Sequence, residues 1–283
     1  MKISSFMAHR FFSNSVAGAF LVAAMSISGC GGGSSAGTTP ANTPPTGGST
    51  PNSITVAGQA LKGPMHDATL EIVSPDGNVL ASGHTQDGSF ELVFDLAEHD
   101  HVEVRTRGGY FMDEATGSRV DVDPGEGLSA IISASDVQTH AHEVVLTPET
   151  TIIAHMMRQS MAAGSGLQDA ITHAVDTYHD QFVGESRPPG MGADADRPMH
   201  FGAPLDPLDA EDSLAWHRAR AFSHYSNETG LEPQSMFELM EALGHDLHDG
   251  ALDGHAGDDP ISLVQGSGGS YHMPDHDHAL RYA

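Results

Sequence analysis

A single cysteine, Cys30, stands among 283 residues, and only 12 lysines and arginines oppose 38 aspartates and glutamates, for a formal net charge of −26. The lone thiol excludes an intrachain disulfide, and the Gly-rich sequence after it offers no partner for a thiolate metal site. The shortage of basic residues excludes nucleic acid as a partner, because a field of this sign repels polyanions while it concentrates cations. Past the N-terminal segment no run approaches 18 consecutive apolar residues, so no later span of a membrane is expected. Catalytic signatures are missing as well. There is no Gly-x-Ser-x-Gly elbow, no Walker-type phosphate loop and no Cys-x-x-Cys-His haem attachment. His142-Glu143 opens like a zinc-protease helix, but Leu146 stands where the second histidine must fall one turn later. The chain is therefore expected not to be an enzyme.

The N-terminus explains the cysteine. Lys2 and Arg10 make a weakly basic start, residues 11–27 are mostly apolar or small, and Ile27-Ser28-Gly29-Cys30 closes on small residues, which is the layout of a signal sequence. Those four residues resemble, position by position, the lipobox of bacterial lipoproteins. The resemblance implies removal of residues 1–29 and acylation of Cys30 as the new first residue. It also implies an outer-membrane destination, since Gly31 stands where an inner-membrane retention signal places Asp. Several acyl chains on one residue hold firmly, because each buried CH₂ adds about 0.8 kcal/mol. Residues 30–52 alternate Gly, Ser, Thr and Pro with almost no apolar side chain, so they are expected to form a disordered tether.

From Ile54 the pattern turns to period two. Short strands are expected at residues 55–61, 68–73, 79–85, 89–94 and 102–106, with less regular ones at 119–122, 128–134 and 143–146, separated by turn chemistry at Lys62-Gly63-Pro64, Asp76-Gly77 and Asp87-Gly88. Many short strands at regular spacing argue for an antiparallel β-sandwich over residues 53–147. Gly58, Gly63-Pro64, Ala68-Thr69, Thr85, Asp87-Gly88 and Phe90 resemble the pattern of carboxypeptidase-regulatory-like, transthyretin-type modules found in bacterial surface lipoproteins. That resemblance implies a transthyretin/Ig-like sandwich acting as an accessory module, with no catalytic residues to transfer.

At Thr147 the period switches to that of a helix. Thr147 is placed to cap, Pro148 to occupy the first helical position, and Ile152, Ile153, Met156, Met157 and Met161 to form one stripe. Further stripes run through Leu167, Ile171, Val175, Tyr178 and Phe182, through Leu214, Ala219, Phe222 and Tyr225, and through Phe237, Met240, Leu243 and Leu247. The expectation is a β-then-α multidomain chain, its helical domain of about four helices over residues 148–263, followed by a flexible His-rich tail at 264–283.

Nineteen histidines and the acidic turns keep a metal in view. His99 and His101 share one side if they lie on a strand, and His272, His276 and His278 cluster with Asp near the end, a set that suits Zn, Ni or Cu. Asp249 and Asp253, among Asp246, Asp258 and Asp259 and several glycines, offer the oxygen-rich surroundings that Ca needs, though not at EF-hand spacing. Two functional readings follow. One is a non-catalytic envelope lipoprotein with a binding or presentation role toward a surface polysaccharide or protein. The alternative is an envelope protein whose function is to bind a divalent metal.

Overall fold

Alternation of buried and exposed side chains is clearest in β5 (His101–Arg107), where Val102, Val104 and Thr106 are buried and the four intervening residues face the other way. The computed structural model describes residues 53–96, 99–140, 144–183, 214–265 and 268–272. Cys30, the signal segment, the tether, the whole connection at 184–213, and the tail residues His276 and His278 lie outside them. Before β5 come β1 (Ser53–Ala60), β2 (Thr69–Val73), β3 (Val79–His84) and β4 (Ser89–Asp95), and after it β6 (Tyr110–Met112), β7 (Arg119–Asp121), β8 (Ser129–Ser133) and β9 (Val144–Leu146). The helices are α1 (Ala134–His140), α2 (Pro148–Ala162), α3 (Leu167–Tyr178), α4 (Leu214–Glu228) and α5 (Met236–Asp246). Four short strands end the described chain: β10 (His255–Ala256), β11 (Asp259–Pro260), β12 (Ser262–Val264) and β13 (Ser270–His272).

The fold is mixed β and α. A four-stranded antiparallel sheet runs in the order β3-β2-β5-β8, and a three-stranded sheet runs β4-β1-β9. In the latter β1 is antiparallel to β4 but parallel to β9, a pairing that an all-antiparallel expectation does not contain. Gly58 permits it, since a Cβ there would lie 1.7 Å from the Val144 carbonyl oxygen. Three two-stranded ribbons, β6-β7, β10-β11 and β12-β13, complete the sheets among the described residues. Buried side chains from both larger sheets, such as Val56, Phe94, Ile72 and Val104, belong to the same apolar cluster as Ile152, Met156, Tyr178 and Leu243 of the helices.

Helix α2 begins where the sequence places it. Thr147 Oγ1 accepts the Thr150 N–H at 3.2 Å, and the Thr147 N–H donates to Thr150 Oγ1 at 2.8 Å, a capping box with threonine in the position more often held by Glu. Two elements depart from expectation. The strand expected through Ala134 instead stops at Ser133, whose hydroxyl accepts the Asp136 N–H at 3.1 Å and starts α1. Residues 270–272, assigned above to a flexible tail, pair as β13 with β12 in the register Ser262 to His272, and the Tyr271 hydroxyl meets that of Tyr225 on α4.

Thr147→Ala removes one partner of the capping box while leaving Pro148 at the first helical position. It should lower unfolding free energy by about 1–2 kcal/mol, read from chemical denaturation; a loss below a few tenths would mean that the cap contributes nothing to the fold.

Candidate functional site

The polar face of β5 is the base from which a site can be built. His101, Glu103, Arg105 and Arg107 alternate with buried residues, and the register sets Glu71 of β2 directly opposite Arg105. Arg105 donates to Glu71 Oε2 from Nε at 2.9 Å and forms an ion pair through Nη2 at 2.8 Å, and Arg107 Nε donates to the same oxygen at 3.2 Å. On α2, Arg158 Nη1 reaches Glu103 Oε1 at 2.8 Å. The cations of this face are thus already neutralised by their own sheet.

Across from them stand carboxylates. A cleft of about 240 Å³ lies between β5, the residues leading into β8, α2 and α5, and it is lined by Arg105, Arg158, His155, Glu126, Glu238 and Glu241 among others. Helix α5 can approach α2 this closely because Gly244 has no side chain. A Cβ there would lie 2.5 Å from that of His155, and the Gly244 carbonyl accepts from Gln159 Nε2 at 3.2 Å. Burial raises the Glu126 carboxyl above its ordinary range, and Asp123, Glu238 and Glu241 push it further in the same direction. His155 is held neutral to about pH 3, first by burial and then by the charges of Arg158 and His245. Among the described residues Glu126 and Glu238 form no ion pair, and Glu241 has only His245 Nε2 at 3.8 Å. A shallower apolar groove of about 450 Å³ adjoins the cleft, with Glu238 and Glu241 in both walls and Ala242, Ile261 and Leu263 along its length.

Such an arrangement can hold a cation that brings its own hydrogen-bond donors, an ammonium or guanidinium, against carboxylates that lack one. Among the described residues no three His, Cys, Asp or Glu side chains converge as a ligand set for a metal. The metal candidates are dispersed accordingly. His101 Nδ1 lies 2.7 Å from Asp100 Oδ1 at the start of β5, while His99 precedes that strand, its N–H donating to the Leu96 carbonyl at 3.3 Å. Asp249 accepts the Ala251 N–H at 3.1 Å and Asp253 accepts the His255 N–H at 3.0 Å, each capping its own turn. Asp246, fully buried, accepts N–H groups of Asp253 and Gly254 at 3.0–3.2 Å, so its oxygens hold the loop together instead of facing a cation. His272 sits on β13 opposite Ser262, whereas Cys30, His276 and His278 lie outside the described residues.

The cleft residues were passed over by sequence reasoning. A signal existed in "HVEVRTR", where the face opposite the valines carries one acid and two arginines, yet nothing local tells that α2 and α5 will cover it.

His155 sets a pH dependence. The unfolded chain takes up a proton near the ordinary histidine value of 6.5, but the folded chain resists until about 3. The unfolded state therefore binds the extra proton between those values, so this contribution to stability is whole above about pH 6.5 and is lost as pH falls toward 3. Relative to His155→Gln, the wild type should lose stability on acidification from pH 7 to 4, with a slope of at most about 1.4 kcal/mol per pH unit. Parallel stability profiles of the two proteins would show that the ring charges as easily folded as unfolded.

Comparison with known proteins gave no matching family model, no similar curated protein and no similar solved structure.

Proposed function

We propose that this chain is a non-catalytic lipoprotein of the cell envelope, held at the outer membrane through Cys30, that binds a protein partner by taking one of its basic side chains into the cleft between β5, α2 and α5. In this reading the two larger sheets form a transthyretin-type sandwich and α2 to α5 the helical domain that follows it. Supporting the sandwich are the shared apolar cluster of both sheets and the tight turns at Lys62-Gly63-Pro64 and Asp87-Gly88, where the motif residues put them.

The observation that carries the binding role is the imbalance of the cleft. Its arginines are neutralised by Glu71 and Glu103, while Glu126, Glu238 and Glu241 face the same space with little compensation. Glu126 is partly buried and Glu238 and Glu241 are exposed at the rim, and carboxylates without a cation of their own gain most from a partner that is both charged and a hydrogen-bond donor. A neutral sugar would leave them uncompensated, so a basic side chain fits better, and the apolar groove beside it gives room for the residues that flank one.

Two experiments check this. Replacing Cys30 with Ser should move the protein from the membrane to the soluble fraction, and membrane retention of that variant would sink the anchoring reading. A short peptide with one arginine between leucines should bind by calorimetry, with affinity that falls as salt rises. Glu238→Gln combined with Glu241→Gln should weaken it at least tenfold, about 1.4 kcal/mol. Equal affinity of the double variant would remove the cleft from consideration.

A further inference from the structure

Lys2 and Lys62 are the only lysines of the chain, so once a signal segment is removed Lys62 is the single primary amine on a side chain. It is also among the most deeply buried residues, with a side-chain exposure of 0% at the turn that follows β1. Lysine is almost never buried whole without a partner. Here the partners are three. Nζ lies 2.6 Å from Oε2 of Glu114 and 3.7 Å from Oδ2 of Asp113, both on the turn between β6 and β7 and only 5% and 4% exposed, and it contacts the hydroxyl of Ser223 on α4. The Phe111 ring closes the site, 4.8 Å from Nζ.

The three partners differ in their state. Asp113 is occupied: its Oδ1 accepts the N–H of Thr116 at 2.9 Å and the Thr116 hydroxyl at 2.8 Å. Burial works against its ionisation, but those hydrogen bonds and the charge of Lys62 outweigh it and hold the carboxyl below its usual range. Ser223 Oγ bridges, donating to Glu114 Oε2 at 2.6 Å. Glu114 is left lopsided, since both contacts fall on Oε2 while Oε1 is buried with no hydrogen-bond partner. An ionised carboxylate with one dry, unsatisfied oxygen is costly; a neutral amide carbonyl in the same place is much less so.

The geometry points to an intramolecular amide between Lys62 Nζ and Glu114 Cδ, formed by the folded chain itself. The ammonium passes one proton to Glu114 Oε2, directly or by way of Ser223 Oγ, and the free amine attacks Cδ. Asp113 Oδ2 takes a second proton from the nitrogen as the N–Cδ bond forms and returns it to Oε2. The Cδ–Oε2 bond then breaks and Oε2 leaves as water, carrying both protons, while the third stays on the amide nitrogen. Ammonium and carboxylate give amide and water, so no oxidant, reductant or co-reactant is needed, and Asp113 and Ser223 end unchanged. Holding amine and carboxyl in contact in a buried site supplies an effective concentration of order 10⁵ M or more. The product ties the turn after β1 to the turn after β6 across 52 residues of chain.

The lysine itself is the assay. Full-length protein, unfolded in denaturant, is digested with a lysine-specific endoprotease, which cuts after Lys62 only where its amine is free. No cleavage at Lys62 is expected, and a tryptic map should show residues 108–119 joined to the peptide that contains Lys62, lighter than the two together by one water. Glu114→Ala should restore cleavage, a readout that survives a failure to fold because the digestion is done on unfolded chain. Cleavage of the wild type after Lys62, recovery of peptide 108–119 at its free mass, or a Glu114→Ala protein that still resists the protease would each overturn the proposal. Loss of water at an Asp-Gly pair such as Asp87-Gly88 is told apart by where fragmentation places it, and finding it there with Lys62 free would count against the amide.

Discussion

One hydroxyl fixes how strands and helices meet. Thr151 Oγ1 accepts the N–H of Ser129 at 2.9 Å and donates to the carbonyl of Thr147 at 2.7 Å, so the first turn of α2 takes the place of a neighbouring strand along part of β8. A wholly buried strand needs its backbone groups satisfied from both sides, and here a side chain supplies what a ladder would. Everything else on α2 follows from that seat: Ile152 and Met156 turn into the apolar cluster, His155 meets Gly244 of α5, and Arg158 comes within reach of Glu103 on β5. The cleft is the space left between a helix seated in this way and the polar face of the sheet beneath it.

Much of the secondary structure was legible because the signals are local. Period-two alternation located β1 to β5, and the Thr147-Pro148 start with the stripes of Ile, Met and Phe located four of the five α-helices among the described residues. The misses have physical reasons. Helix α1 is seven residues long, too short to show a period, and is started by Ser133, a residue equally at home at the end of a strand. Strand β13 is recognisable only through its pairing with β12, since nothing in Ser270-Tyr271-His272 itself distinguishes a strand from a tail.

The site was less legible than the fold, because the residues that stand out in the sequence are not those the fold gathers. Paired histidines drew the eye, yet His101 is satisfied by Asp100 and His272 by nothing of its own kind among the described residues. Glu71, Glu103, Arg105, Arg107 and Arg158 gave no motif at all, being ordinary charges on alternate strand positions and one helix face. Lys62 read as part of a turn, and a turn lysine is ordinarily solvated. Only the tertiary structure sets Asp113, Glu114 and Ser223 around it, from two other segments of chain. The two regions share an aromatic wall: Phe111, beneath Lys62, packs edge-on at 6.3 Å against Phe237, which lines the cleft.

Strand β1 also has a mechanical meaning. It is the central strand of its sheet, bonded to β4 on one side and β9 on the other, and it begins at Ser53, where the Gly/Ser/Thr/Pro segment ends. A pull arriving through residue 52 therefore runs along β1 and loads both ladders in shear, so that many hydrogen bonds must yield together instead of opening one after another. The far end of the same strand leads directly into Lys62. If the chain is anchored through Cys30 and holds a partner as proposed, that load would reach the Lys62–Glu114 contact, where a covalent link would stop the strand from sliding.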